Sequence, residues 1–424
     1  MKAPELLAPA GTLRNLRYAI AYGADAVYAG MPRYSLRVRN NDFSRLETLA
    51  AGIDETHARG KAFFLASNVL PHDRKVKTFL ADMEPVVGLG PDALIMADPG
   101  LILLARERWP ELAIHLSVQA NTMNHAAVKF WQRQGIRRVI LSRELSLEQV
   151  EAIRQACPDI ELEVFVHGAL CIAYSGRCLL SGYFNHRDAN QGTCTNACRW
   201  EYRVRPDGAD ATAGDWLLEE AGRPGERMPV EEDEHGTYIL NSKDLRAVEH
   251  VARLVDIGVD SLKIEGRTKS HYYTARTTQV YRQAIDDAVA GRPFDPRLLG
   301  SLESLANRGY TDGFFQRHHH QDYQNYLEGH STSLRQRFVG DVLGLDPATG
   351  LAEVEVRNRF QVGDQLELVA PGGNRLFRLQ GMLNEDGEAM QVAPGSGYRV
   401  RIPLPVQGEV GAALLARCLP AGDR

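Results

Sequence analysis

The chain has 424 residues and a formal net charge of −5, with 44% hydrophobic and 24% charged residues. This length allows one large and one small domain with a hydrophobic core. The negative balance excludes a uniformly basic nucleic-acid binder but leaves room for a local basic face. No apolar run reaches the roughly 18 residues of a membrane-spanning helix, and the N-terminus lacks the apolar stretch of a secretory signal. We therefore expect a cytoplasmic protein.

Eight short apolar runs alternate with amphipathic, helix-like stretches. The runs are Glu5–Ala8, Asp25–Ala29, Lys61–Val69, Ala93–Asp98, Ala113–Gln119, Arg138–Ser142, Glu161–His167 and Ser261–Glu265. Apolar residues follow one another directly in these runs, which is typical of strands buried on both faces. The helix-like stretches include Leu13–Tyr22, Arg74–Val87, Ala126–Gln134 and Leu147–Ala156. Serial β–α units predict a parallel sheet, and eight of them favour an α/β fold of the closed (β/α)8, TIM-like type. Tyr238–Asn241 is a ninth strand candidate.

The hydrophobic pattern changes near the C-terminus. Leu351–Arg357 and Tyr398–Leu404 alternate apolar with polar residues, which predicts a small antiparallel β-barrel with one solvated face. We therefore assign residues 1–330 to a catalytic barrel and residues 335–424 to a C-terminal β-barrel domain. The stretch Arg317–Ser333 is a linker candidate, and its three consecutive histidines are expected to be solvated.

Residues 207–235 form an acidic insertion. They hold ten acidic residues against two arginines, within a chain whose net charge is only −5. The stretch is rich in Gly, Ala and Pro and has no sustained hydrophobic period, so we expect a surface loop.

Four cysteines lie close together in the segment 167–200. Cys171 and Cys178 are separated by six residues, Cys194 and Cys198 by three, and the two pairs by fifteen. Four thiolates after a buried strand can converge on one iron–sulfur cluster. Structural zinc is a second possibility, although zinc ribbons favour a spacing of two residues, and unligated core cysteines are a third. Cys157 and Cys418 lie outside this group, and we expect them to be isolated packing residues.

Polar side chains stand at the ends of several predicted strands. They are Asn68, Gln119, His167, Lys263, Glu265 and Arg267. Active sites of (β/α)8 barrels are built at the carboxyl ends of the strands. Three arginines follow the second strand, and their guanidinium groups suit phosphates or carboxylates. They are Arg33, Arg37 and Arg39. The alternatives are a structural ion pair for Lys263 and Glu265, and arginine stems that only cover the barrel rim. The sequence has no zinc-peptidase, nucleophile-elbow, P-loop or dinucleotide-binding motif.

The motifs resemble those of peptidase family U32, whose members are called collagenase-like. They are Pro4-Glu-Leu-Leu-Ala-Pro-Ala-Gly11, Gly23-Ala-Asp-Ala-Val-Tyr-Ala-Gly30, His167-Gly-Ala-Leu-Cys171 and Leu262-Lys-Ile-Glu-Gly-Arg267. The match spans essentially the whole chain, including the C-terminal β domain. Within the family the chain is most similar to members that form 5-hydroxyuridine at the wobble position of tRNA, with prephenate as the source of the hydroxyl group. Further segments that support this closer match are Arg33–Asn41, Gly192–Trp200 and Asn241–Leu245.

The resemblance implies a tRNA-modifying enzyme with a [4Fe–4S] cluster. Cys171, Cys178 and Cys194 match the shared ligand pattern, and Cys198 is the nearby candidate for the fourth ligand. We expect Lys263, Glu265 and His167 to act in catalysis. Arg33, Arg37, Arg39, Arg267, Asn68 and Gln119 are expected to bind substrate. The expected partners are the tRNA anticodon loop and prephenate. The alternatives are a peptidase, a hydroxylase of ribosomal RNA or of a quinone precursor, and a non-enzymatic RNA-binding scaffold.

Overall fold

The protein is described by a computed structural model that covers most of the chain. It describes residues 2–30, 33–35, 41–71, 73–169, 173–174, 177–178, 202–206, 216–220, 225, 227–233, 236–239, 243–307, 309–316, 336–405 and 410–419. The first elements in chain order are β1 (Glu5–Pro9), α1 (Leu13–Ala21), β2 (Ala26–Gly30), α2 (Leu46–His57), β3 (Ala62–Ser67), α3 (Asp73–Val76), α4 (Phe79–Val87), β4 (Ala93–Met96), α5 (Pro99–Arg108), β5 (Ala113–Leu116), α6 (His125–Arg133), β6 (Arg138–Ile140), α7 (Leu147–Ala156) and β7 (Glu161–Ala169). These alternating strands and helices confirm the predicted β–α order.

Further strands follow before the chain returns to the barrel. They are β8 (Ala173–Tyr174), β9 (Arg177–Cys178), β10 (Tyr202–Pro206), β11 (Trp216–Glu220), β12 (Arg227–Asp233), β13 (Gly236–Ile239) and β14 (Asp244–Arg246). The last elements of this part are α8 (Val251–Ile257), β15 (Ser261–Ile264), α9 (His271–Val289), α10 (Arg297–Glu303) and β16 (Tyr310–Thr311). Strand β15 pairs in parallel with both β1 and β7, and this closes an eight-stranded parallel barrel. The predicted fold class is therefore confirmed.

The barrel forms where the sequence is continuously apolar, and capped helices cover it. Strands β2 and β4 are buried at every position. Side chains cap several helices at their N-termini, and Ser146 and Gln149 form a reciprocal capping box on α7. Such caps satisfy amide groups that a helix leaves unpaired at its start. The other side-chain caps are Thr12, Asp98, Asn124 and Ser270.

The single helix predicted over Arg74–Val87 is two helices, α3 and α4, separated at Lys77 and Thr78. The Thr78 hydroxyl lies 3.2 Å from the Tyr34 hydroxyl and accepts a hydrogen bond of 2.8 Å from Arg33. Both partners belong to the loop after β2, so the break joins two neighbouring loops at one end of the barrel.

The acidic insertion contains regular structure where we expected a loop. Strands β11 and β12 lie within it and form a four-stranded antiparallel sheet with β10 and β13. The ninth strand candidate corresponds to β13, which pairs with β12 and is not part of the barrel. In register, Glu219 of β11 lies opposite Arg203 of β10 and Arg227 of β12. The strands are short and β12 contains Pro229, which hides the alternating pattern.

The C-terminal domain is an antiparallel half-barrel with its own core. Its strands are β17 (Gln336–Leu345), β18 (Leu351–Val356), β19 (Phe360–Gln361), β20 (Gln365–Val369), β21 (Arg375–Arg378), β22 (Val392–Ala393), β23 (Arg399–Pro403) and β24 (Leu414–Cys418). Six of them form one sheet in the order β21-β20-β24-β17-β18-β23. In β18 buried and half-buried residues alternate, as predicted for a sheet with one solvated face. The linker candidate Arg317–Ser333 lies outside the described residues.

Polar contacts join this domain to helices α1 and α9 of the barrel. Buried Arg276 of α9 donates two hydrogen bonds, of 3.1 and 2.6 Å, to the Glu367 carboxylate of β20. Asp341 of β17 accepts contacts from Arg14 at 2.7 Å and from His271 at 2.6 Å. The Tyr22 hydroxyl donates to backbone oxygens of the β domain. Within the described residues, no helix is long and apolar enough to cross a membrane.

We predict that Arg276→Ala lowers the free energy of unfolding by about 3–5 kcal/mol, because it leaves the buried Glu367 carboxylate without its positively charged partner, and only the neutral Gln336 amide still donates to it. Replacing the pair by Arg276→Met and Glu367→Leu should recover most of this loss. Denaturant unfolding of the purified protein measures both effects. Arg17→Ala is the matched control, since it breaks a more exposed pair with Glu55 and should cost about 1 kcal/mol or less. Equal losses in the two arginine variants would contradict this account of the joint.

Candidate functional site: the polar mouth of the barrel

Two carboxamides meet at the carboxyl ends of β3 and β5. The Asn68 Nδ2 group donates to the Gln119 carbonyl oxygen at 3.0 Å, and the Ser117 hydroxyl donates to the same oxygen. Two donors on that oxygen fix the orientation of the Gln119 carboxamide, because its NH2 end would repel them. Asn68 is buried and Gln119 is half-buried. The two predicted residues therefore come together as a pre-oriented hydrogen-bonding pair at the mouth.

Arg267 lies across the end of β2. Its Nη1 group donates to the Ser35 hydroxyl at 2.7 Å, and its guanidinium carbon is 5.8 Å from the centre of the Tyr28 ring. A Cβ atom at Gly30 would lie 1.9 Å from the same Nη1 atom. Gly30 is therefore required for Arg267 to reach this position.

Glu265 follows β15 and contacts a residue that follows β6. Its carboxylate is 2.5 Å from the Arg143 guanidinium, which stacks 3.9 Å from the centre of the Phe165 ring. The Tyr273 hydroxyl donates to the Glu265 carbonyl at 2.8 Å. The pair brings one positive and one negative group to the same side of the mouth.

Lys263 lies inside the barrel below these residues. Its Nζ group is 2.7 Å from the Glu163 carboxylate and 4.4 Å from the centre of the Tyr28 ring. Burial lowers the pKa of Lys263, and the Glu163 carboxylate opposes that shift. Glu163 also contacts Arg138 at 3.2 Å, and Arg138 binds Glu5 at 2.6 Å. The predicted strand-end lysine is thus one end of a buried chain of alternating charges.

His167 packs on the outside of the barrel wall. A β-bulge places it opposite Ile264, although Phe165 is opposite Lys263, so one extra residue reverses the alternation of β7. The imidazole lies between the rings of Tyr273, Tyr281 and Tyr310, at 5.5 to 5.8 Å between centres. Burial lowers the pKa of His167 to about 3, and Arg246 and Lys269 add to this shift. The structure therefore does not bring His167 together with the polar residues of the mouth.

Arg33 contacts neighbouring structure at the rim. Its guanidinium is 2.8 Å from the Asp82 carboxylate of α4 and remains about half exposed, at 48%. Arg37, Arg39, Cys171, Cys194 and Cys198 lie outside the described residues. Cys178 belongs to β9, where its backbone is paired with Ala173. In the part of the chain that the structure describes, no three His, Cys, Asp or Glu side chains are grouped as a metal site.

Cys157 and Cys418 have separate environments, as predicted. Cys157 is buried at the end of α7, and its thiol donates to the His125 carbonyl at 3.5 Å. Cys418 is half-buried and accepts a hydrogen bond from Gln336 at 3.6 Å. Both are free cysteines.

Sequence reasoning missed several residues that shape the mouth. They are Tyr28, Ser35, Ser117 and Glu163. Tyr28 had a usable signal, because it is the one large polar side chain in a strand of Ala, Val and Gly. Ser35 and Ser117 had none, because a serine near a strand end is common in any loop.

This fold and its polar mouth define a (β/α)8-barrel protein with a C-terminal antiparallel β domain. Family models match it along most of its length. The model of peptidase family U32 matches residues 11–325, and that of the family's C-terminal domain matches residues 335–417. The chain belongs to peptidase family U32.

Relatives of the chain include RNA-modifying proteins. It is 60% identical to the tRNA hydroxylation protein P of Escherichia coli over 98% of this chain and 97% of the relative. It is 55% identical to the protein of that name in Haemophilus influenzae, over 98% of this chain and 96% of the relative. A more distant relative is a 23S rRNA 5-hydroxycytidine synthase of Escherichia coli, which is 34% identical over 73% of this chain and 45% of its own length.

We predict that His167→Phe flattens the acid dependence of stability. The unfolded imidazole takes up a proton near pH 6.5, whereas the folded one does so only near pH 3. The stability that His167 contributes is therefore present above pH 6.5 and is lost as pH falls from 6.5 towards 3, by up to about 1.4 kcal/mol per pH unit. Unfolding curves of both proteins at several pH values in this window measure the difference. Parallel pH profiles would contradict a buried, neutral His167.

Proposed function

We propose that this protein is a cytoplasmic tRNA hydroxylase that forms 5-hydroxyuridine at the wobble position, with prephenate as the source of the hydroxyl group. The observation that carries the proposal is the polar barrel mouth in a chain that is 60% identical, over 98% of its length, to a tRNA hydroxylation protein. A wobble base lies in a single-stranded loop, so little unstacking is needed to bring it to a protein site.

The mouth residues suit the two ligands in this proposal. The Asn68–Gln119 pair offers an oriented amide, which matches the hydrogen-bonding groups on the edge of a uracil ring. Arg267, with Arg37 and Arg39 of the neighbouring loop, supplies guanidinium groups for the carboxylates of prephenate or for phosphates. Lys263 holds a positive charge at the floor of the site, and Glu265 is the proposed acid–base group at its side. His167 remains a proposed catalytic residue from the sequence alone.

We further propose that Cys171, Cys178, Cys194 and Cys198 hold a [4Fe–4S] cluster. Such a cluster supplies one-electron redox chemistry or maintains the structure of the segment that binds it. The four cysteines follow β7 in the sequence, and β7 is a strand of the barrel.

Anaerobically purified protein should be brown and contain about four irons per chain. Replacing any of Cys171, Cys178, Cys194 and Cys198 by serine should remove the iron and the visible absorption, because a ligand is lost. Cys157→Ser and Cys418→Ser are the matched controls and should retain both. Stoichiometric zinc without iron in protein never exposed to air would refute the cluster.

Cells that lack this protein should lose 5-hydroxyuridine and its derivatives from wobble uridines, and so should cells that cannot make prephenate. Nucleoside mass spectrometry of purified tRNA measures the loss, and the wild-type gene should restore the modification. The strain must hold no second hydroxylase of this kind. Wobble uridines that are still modified in such a deletion strain would refute the function. They would favour the ribosomal RNA hydroxylase, which a 34% identical relative supports. Cleavage of an unstructured protein substrate by the anaerobic protein would favour a peptidase.

A further inference from the structure

Four cationic residues form a basic ridge on the rim of the barrel mouth. They are Arg33, from the loop after β2, and Arg74, Lys75 and Lys77, from α3 and the turn that follows it. Strands β2 and β3 are parallel neighbours, so the loops that follow them emerge side by side. Residues 70–78 carry three cations and one acidic residue in a chain whose net charge is −5. The basic ridge is thus a local exception to the charge of the whole protein.

Hydrogen bonds hold the basic ridge in place. The Lys75 Nζ group donates to the Arg33 carbonyl at 3.0 Å, and Arg33 in turn donates to the Thr78 hydroxyl at 2.8 Å. The fully buried Tyr34 donates a 2.5 Å hydrogen bond to the Asp82 carboxylate, which also binds Arg33. The ridge is therefore pre-organised, and a ligand would not have to order it on binding.

The outer charges of the basic ridge point into solvent. Arg74 and Lys77 are exposed, and within the described residues neither forms an ion pair with a carboxylate. Leu70, on the same loop, is 45% exposed. Free cations beside an exposed apolar side chain match the phosphates and the ribose or base faces of a single-stranded nucleic acid.

The loop after β3 connects the Asn68–Gln119 pair to the basic ridge. Four residues separate Asn68 from α3, and Asn68 is buried at the mouth, so the loop that carries the ridge starts at the site itself. A nucleotide whose base enters the mouth must leave its flanking backbone on the rim.

We propose that the basic ridge binds the RNA phosphates that flank the target nucleotide. This inference rests on the proposed function, because it takes RNA as the substrate of the mouth. Arg74 and Lys77 make the phosphate contacts, while Arg33 and Lys75 fix the loop that presents them.

The test uses the full-length protein and an unmodified tRNA transcript with a wobble uridine, and it measures binding by fluorescence anisotropy at several salt concentrations. Arg74→Ala with Lys77→Ala should raise Kd on the order of tenfold or more. It should also reduce the slope of log K against log salt by about two. Lys129→Ala with Arg133→Ala is the matched control, because it removes the same two residue types from the exposed side of α6. The control should leave Kd and slope unchanged.

A charge-preserving exchange, Arg74→Lys with Lys77→Arg, should retain wild-type binding, and unfolding curves of all variants establish that they fold alike. Equal weakening in the ridge and control variants, or no weakening in either, would overturn the inference. Neither result touches the proposed function, which the wobble nucleosides of the deletion strain decide. Conversely, ridge-dependent binding of the transcript by a protein whose deletion leaves the wobble uridines still modified would refute the proposed function and retain the ridge as an RNA-binding surface.

Discussion

The parallel pairing of β15 with both β1 and β7 is the constraint on which the rest of the structure depends. It turns a row of eight strands into a ring and brings all their carboxyl ends to one rim. Residues that are 51 positions apart, such as Asn68 and Gln119, meet there through side-chain hydrogen bonds. The ring leaves no edge among its members, and within the described residues the sheet extends beyond it through β14 and β16, which are added next to β7. The chemistry of the mouth is therefore a consequence of closure rather than of any local motif.

Closure also buries charged side chains inside the barrel, and each of them needs a partner of opposite charge. Lys263 and Arg138 share the Glu163 carboxylate, and Arg138 has Glu5 and Glu161 as further partners. Burying any one of these charges alone in a dry core would cost free energy. Together the charges form ion pairs that offset this cost. Burial raises the pKa of Glu5, and Arg138 opposes that shift. The same set of contacts fixes the position of the lysine at the floor of the mouth, so stability and site geometry use the same residues.

The sequence predicts the ring well because its signal is simple: continuous apolar runs become strands, and strand ends become the rim. It predicts the position of polar residues along a strand, but the side they face depends on register. Alternation from Glu163 and Phe165 would turn His167 inward, and the bulge opposite Lys263 turns it to α9 instead. The partner of Lys263 lies 100 residues away and depends on the same register. The break at Thr78 was equally hidden, since the helical pattern continues through it and only contacts with Tyr34 and Arg33 interrupt it.

The joint between the two domains has a consequence for how the chain folds during synthesis. The hydroxyl of Tyr22, the residue that directly follows α1, donates to the carbonyl of Ala412, 390 positions further along. Helices α1 and α9 flank the seam between β1 and β15. The β domain forms polar contacts with both helices. The ring can close once β15 has left the ribosome, whereas the contacts with the β domain form only after nearly the whole polypeptide has been released. Until β15 emerges, β1 has an open edge, a state in which nascent chains are exposed to aggregation and depend on protection.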